Sequence, residues 1–380
     1  MATDVQPRTL EPSYAPPPKK ALSQPWVGAA GLVIVLAVAA VLAIVPGLQR
    51  SLEIIGPAST FCLPVLAVAA LWWKGWPFAG LSRLAGGLAT LGLIVASGIV
   101  LTAAGLAVTG NFQLSHLFGT AAEAAQGHMV TFPFTVPLAA FVFVTMLQLT
   151  FVCRQWPFDR LPAVAGGFAA LATSWAVGVA GYFLLATWDF VPAVARHAIG
   201  LRNPGGPVNA LNLVGVLLCI VIFQMTLFFL LQGYPVSLIK SQPLYLAVAN
   251  ATTIGGGILL WWILNSGLGL SSPQVSEVAG VIVAGTLIAG LLFEGWPARA
   301  VANPALSRLA LLGTAAAISV IAGFALRAIS LTATWTGSPP QLWVAVMGLN
   351  FIGAFVIVHA AVFRRWPLPA GEPDQPEPGS

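Results

Sequence analysis

The sequence predicts an all-α, polytopic integral membrane protein of about ten transmembrane helices, arranged as five parallel helical hairpins with both termini cytoplasmic. Three observations carry this. Of 380 residues, 58% are hydrophobic and only 7% charged, with a mean hydropathy of +0.90. A soluble domain needs roughly a quarter of its residues charged to present a wetted surface. Apolar runs of bilayer-spanning length recur along the chain without the apolar/polar alternation of a lipid-facing strand, which favours helices over a barrel. An aromatic-proline dipeptide also closes every second run.

From the start, "MATDVQPRTLEPSYAPPPKK" reads as part of a disordered cytoplasmic tail over 1–25, too polar to bury apolar surface. Spans are expected near 27–45, 57–73, 87–108, 134–153, 165–187, 210–231, 245–265, 276–293, 306–326 and 342–363. The first reads as a retained anchor, being long for a secretory signal and preceded by a long tail. The spans form one transmembrane domain over 26–368, and "PAGEPDQPEPGS" opens a second disordered cytoplasmic tail over 369–380.

Lys and Arg fix the orientation. With the N-terminus inside, Arg8, Lys19, Lys20, Lys74, Arg83, Arg154, Arg160, Lys240, Arg299, Arg308, Arg364 and Arg365 are cytoplasmic; Arg50, Arg196, Arg202 and Arg327 lie opposite. The bias points to a cell (plasma) membrane protein. Its formal charge of +5 reflects topology and attraction to anionic lipid heads, not nucleic acid. The expected partners are the lipid bilayer, other membrane subunits or further copies of the chain.

"WPFAGLSRLAGG" from Trp76 and "WPFDRLPAVAGG" from Trp156 share seven of twelve positions. The dipeptides Trp76-Pro77, Trp156-Pro157, Tyr234-Pro235, Trp296-Pro297 and Trp366-Pro367 mark an internal two-helix repeat. An aromatic ring settles at headgroup depth and proline ends a helix, so these pairs read as structural interface anchors. Gly86-Gly87 and Gly166-Gly167 open the next spans as close-packing positions. "NATTIGGGILLWW" from Asn250 either breaks its span or, as the favoured reading, marks a tight crossing. Cys62, Cys153 and Cys219 are scattered packing residues.

Enzyme signatures are missing: there is no GxSxG, Walker loop, dinucleotide fingerprint or CxxCH. Ionisable groups are rare at membrane depth, His359 being the main one. The polar residues Asn209, Asn212, Gln224, Asn250, Thr253 and Asn350, with His359, are therefore the candidate lining of a solute site. Outside the membrane, "LSHLFGTAAEAAQGH" has helical spacing and a polar face carrying His116 and Glu123, with His128 at its end. "WDFVPAVARHAIG" reads as a short interfacial helix bearing Asp189, Arg196 and His197. His116, Glu123, His128 and His197 are the residue types that ligate zinc, copper or iron, without any tight ligand spacing.

No cofactor is predicted, with a metal admitted only at those four residues. The expected function is a transporter or permease for a small neutral or hydrophobic solute, and an enzyme is not favoured. A membrane-embedded enzyme or redox-complex subunit with an extracytoplasmic metal or cofactor site is the first alternative; a non-catalytic anchor or assembly subunit is the second.

Overall fold

The computed structural model describes residues 23–120, 123 and 126–368. Most of the first tail and all of the second lie outside them. Nine described helices are long and apolar enough to cross a membrane: α1 (Trp26–Ile44), α2 (Leu48–Trp72), α3 (Arg83–Thr109), α5 (Ala163–Leu185), α6 (Ala210–Leu230), α7 (Gln242–Gly267), α8 (Ser272–Leu292), α9 (Pro304–Ser330) and α10 (Pro340–Val362). A shorter apolar helix, α4 (Val136–Val152), lies between α3 and α5. At 1.5 Å per residue it is about 25 Å long. The chain is thus a multi-pass helical membrane protein.

The even helices form a closed inner ring. α2 packs on α4, α4 on α6, α6 on α8, α8 on α10, and α10 returns to α2. The odd helices lie outside it. α3, α5, α7 and α9 each pack along the even helix before them, while α1 packs on α10 and α8. Close backbone approach sets the ring: a Cβ on Gly280 of α8 would stand 2.6 Å from the Ala345 carbonyl oxygen of α10.

One backbone pattern ends all five even helices. Each finishes in a π-helical turn, and the residue after it donates five residues back: Trp73 to Val68, Cys153 to Gln148, Leu231 to Thr226, Phe293 to Ile288 and Phe363 to Val358. Two left-handed residues follow in each copy: Lys74-Gly75, Arg154-Gln155, Gln232-Gly233, Glu294-Gly295 and Arg364-Arg365. These satisfy the last carbonyls and turn the chain out of the helix. The aromatic-proline pairs come next, each with a cis peptide bond. Glycine supplies the second left-handed residue in three copies, where L side chains are disfavoured.

The odd helices α3 and α5 start against the ends of the even helices α10 and α2. A Cβ on Gly87 of α3 would lie 2.5 Å from the Phe363 ring, and one on Gly167 of α5 would lie 2.5 Å from Trp73 Nε1. Each glycine accepts the bulky residue that follows a ring helix, as expected for close packing. α7 runs through Asn250 and its glycines without a break, with a π-helical turn over Ala251–Gly255. A Cβ on Gly256 or Gly257 would meet Phe223 or Ile220 of α6 at 2.5 Å, so the stretch is a tight crossing.

Two expectations are corrected. The second helix starts at Leu48, well before 57, because the π-turn Ser51–Ile55 carries helical bonding past the amide that Pro57 lacks, with Gly56 N–H bonding the Ser51 carbonyl. The stretch from Leu114 is not one continuous amphipathic helix: Leu114–Phe118 is a 3-10 turn that ends as Gly119 becomes extended. Residues 121, 122, 124 and 125 lie outside the described residues. The expected surface helix forms at Ala193–Ile199, with Pro192 at its N-cap and left-handed Gly200 (φ +70°) after it. It sits beside a small parallel pair of strands, β1 (Ala186–Thr187) and β2 (Val208–Asn209).

Candidate functional site

The axis of the ring holds two apolar voids. The one toward the helix starts has a volume of about 80 Å³, and every even helix lines it. Gly56 and Thr60 come from α2, Ala140 and Phe143 from α4, Val214 and Leu218 from α6, Ser276 from α8, and Leu349 and Asn350 from α10. The second void, about 70 Å³, lies toward the aromatic-proline end and is again lined by all five helices, including Leu66, Leu147, Met225, Leu287 and Gly353. Phe143 and Leu349 line both and so stand between them. Among the described residues no ionisable side chain lines either void.

This follows from ring geometry. Five helices packed at ordinary distances leave an axial space that side chains fill incompletely, and small residues such as Gly56, Ala140 and Ser276 widen it locally. Asn350 is the most polar lining residue. Its amide donates to the Gly56 carbonyl (3.1 Å), Ser59 Oγ (3.0 Å) and Thr60 Oγ1 (2.7 Å), tying α10 to α2. Its amide nitrogen is thereby engaged, so a ligand here would meet a mainly apolar wall.

The other candidate residues are placed differently. Asn209 caps α6, accepting from the amides of Leu211 and Asn212 at 2.9 and 3.4 Å. The Asn212 side chain accepts from Ser272 Oγ, linking α6 to α8. Gln224, Asn250 and Thr253 meet in a network that also includes Gln148. Gln148 Nε2 donates to Asn250 Oδ1 (2.8 Å) and Thr253 Oγ1 (2.9 Å), and Gln224 Nε2 donates to Gln148 Oε1 (2.6 Å). The network fastens α7 to α4 and α6 and borders neither void. Buried Gln224 keeps one acceptor, Oε1, without a partner among the described residues. His359 is buried against Gly31 of α1, away from the axis: a Cβ on Gly31 would lie 3.1 Å from its Nε2.

Outside the membrane, His116 and His128 stack edge to face with ring centroids 5.0 Å apart. Glu123 turns to its own segment, its carboxylate accepting from the Thr120 amide at 2.8 Å, and His197 is exposed on the surface helix. Among the described residues no three His, Cys, Asp or Glu side chains converge as a metal site would need. Asp189 is held instead by Thr187 Oγ1 (2.7 Å), Arg196 (2.9 Å) and Asn203 (2.7 Å), which keep its carboxyl below the usual range.

Sequence reading missed Glu53. The early start of α2 brings it into the bundle, almost completely buried, where it accepts from Gln49 and Ser338 at 2.9 Å. A helix boundary drawn at Gly56-Pro57 hid it. It also missed the void lining, because Ala140, Phe143 and Leu349 resemble any other apolar residues of a span.

Of the aromatic anchors, Trp76, Trp156, Trp296 and Trp366 are 40–46% exposed, while Tyr234 lies under Arg308, whose guanidinium is 3.7 Å from the ring centre. No protein-family model, curated protein or solved structure matches this chain.

Proposed function

We propose that this protein is a permease for a small neutral or hydrophobic solute, with a pathway along the axis of the five-helix ring. The carrying observation is that all five inner helices line both axial voids and offer them no charge. A charged solute crossing such a wall would lose hydration without compensation, whereas a neutral one would not. Phe143 and Leu349 then act as the constriction between an outer and an inner chamber.

In this reading the ten helices are five copies of a two-helix unit in one orientation. The shared ending of the even helices supports it, as does the equivalent docking of Gly87 on Phe363 and Gly167 on Trp73. The excess of Lys and Arg at the aromatic-proline end supports a cytoplasmic position for that end and both termini, in a protein of the cell membrane.

The test is solute flux into proteoliposomes, using small uncharged solutes of graded size. Val214→Phe, which projects into the first void, should abolish flux while the protein still purifies as a folded species. Leu349→Ala, which opens the constriction, should raise it. Flux indifferent to both changes would refute an axial path.

A further inference from the structure

We propose that the cleft where α3 begins, between the ends of α2 and α10, is an anion site that takes the phosphate of an anionic phospholipid headgroup. This does not depend on the permease reading. The cleft has a volume of about 390 Å³ and presents Lys74, Arg83 and Arg364, with no carboxylate among the described residues of its lining. None of the three forms an ion pair among the described residues. Three cations around one concavity repel one another, and a bound anion removes that cost.

The backbone prepares the same spot. Ser82 caps the 27-residue helix α3, whose first turn borders the cleft and adds the positive end of its dipole. Arg83 Nη1 lies 3.3 Å from the carbonyl oxygens of both Arg364 and Leu368, so its guanidinium spans α3 and the end of α10. The floor stays open because Gly86 and Gly87 carry no side chain.

Several charged residues of the other loops have partners within the protein. Glu294 occupies in the fourth loop the place Lys74 has in the first, and it pairs with Arg365 and, at 3.6 Å, with Arg299. Arg154 lies over the Tyr245 ring at 4.2 Å, and Arg308 over Tyr234 at 3.7 Å. At the α3 cleft Lys74 and Arg364 are instead exposed, with no ion-pair partner among the described residues.

Its depth favours a lipid over a free ion. Trp76 and Trp366, in the loops that supply Lys74 and Arg364, are exposed and suit the level where aromatic rings meet headgroups. The cleft descends along α3 to Thr90, roughly 10 Å below the helix start, and is bordered by exposed Ala361 beside the end of α10. A phosphate among the cations would leave its acyl chains against that apolar flank.

The experiment reconstitutes the full chain into phosphatidylcholine nanodiscs containing phosphatidylglycerol and counts retained lipid by native mass spectrometry. Wild type should retain phosphatidylglycerol selectively. Lys74→Gln and Arg364→Gln should each weaken retention about fivefold, which corresponds to about 1 kcal/mol per basic residue. Arg299→Gln, whose partner is Glu294, should leave retention unchanged. Since Arg83 also binds backbone, Lys74→Gln, whose side chain is exposed, serves as the decisive variant.

Inorganic phosphate in phosphatidylcholine nanodiscs separates the sources: displacement of phosphatidylglycerol at millimolar phosphate would overturn the lipid assignment in favour of a soluble anion. Equal retention by wild type and Lys74→Gln would overturn the site itself. So would selectivity appearing only when Glu372, Asp374 and Glu377 are changed to Gln, Asn and Gln, because the chain's own acidic segment would then be the occupant.

Discussion

The inner and outer helices are built from nearly the same residues and lead different lives. In α2, α6, α8 and α10, 61–72% of the residues across the most apolar stretch are buried; in α1, α3, α5, α7 and α9 the figure is 17–28%. Hydropathy does not separate them. α1 is the most apolar of the nine and is mostly exposed, whereas the equally buried α8 and α10 are far less apolar. Lipid tails are as apolar as leucine, so exposure costs an outer helix nothing and burial brings no hydrophobic gain. The ring is distinguished by enclosure, each member having two ring neighbours and outer helices around it, as α8 has α6, α10, α9 and α1.

The largest effect should therefore come from filling a ring contact. Gly280→Leu places side chain where the Ala345 backbone stands, at a cost of about 3 kcal/mol, whereas Gly313→Leu, with open space around it, should be neutral. Thermal unfolding in detergent compares the two, and equal midpoints would erase the inner/outer distinction.

Next comes the polar network. Gln148→Leu leaves Asn250, Thr253 and Gln224 without their shared partner and should cost about 1 kcal/mol. Asn265→Leu removes one bond near the end of outer α7, to the Leu270 carbonyl, and should cost less. Denaturation in mixed micelles measures both, and a larger loss from Asn265→Leu would reverse the order.

A smaller change sharpens the contrast between the clefts. Glu294→Gln frees Arg365 and Arg299 and should create a second phosphatidylglycerol site with less than about 1 kcal/mol of destabilisation. An unchanged lipid count would mean that charge alone does not define such a site.

The smallest effect concerns the outer loops. Asp189 has a lowered carboxyl pKa, so its contacts favour the folded loop above the ordinary carboxylate range, and that contribution fades as pH falls through the lowered value. Protease cleavage between α5 and α6 should thus stay constant from neutral to mildly acidic pH and rise only below the usual carboxylate range. In Asp189→Asn it should be flat, and a rise nearer pH 6 would point to a histidine instead.

The aromatic-proline pairs illustrate how far sequence reached. Their spacing located all five helix ends, because proline cannot continue a helix and aromatic rings suit the interface. The two left-handed residues before each pair carry a fainter signal, since glycine fills only three of the five second positions. Asn250, Thr253 and Gln224 were recognisable as residues that must find partners, but whether they faced a solute or one another depended on which helices became neighbours.

The sequence by itself determined a multi-pass helical protein and the approximate positions of its spans. Length, apolarity and helix-breaking residues are local properties, and a bilayer leaves helices as the way such segments satisfy their backbone. Only the tertiary structure decided which helices form the ring, that Ala140, Phe143 and Leu349 meet on its axis, and that Lys74, Arg83 and Arg364 converge from three helices. These depend on contacts between residues as far apart as positions 74 and 364. In a chain whose lipid-facing and buried surfaces are both apolar, composition leaves such pairings undetermined.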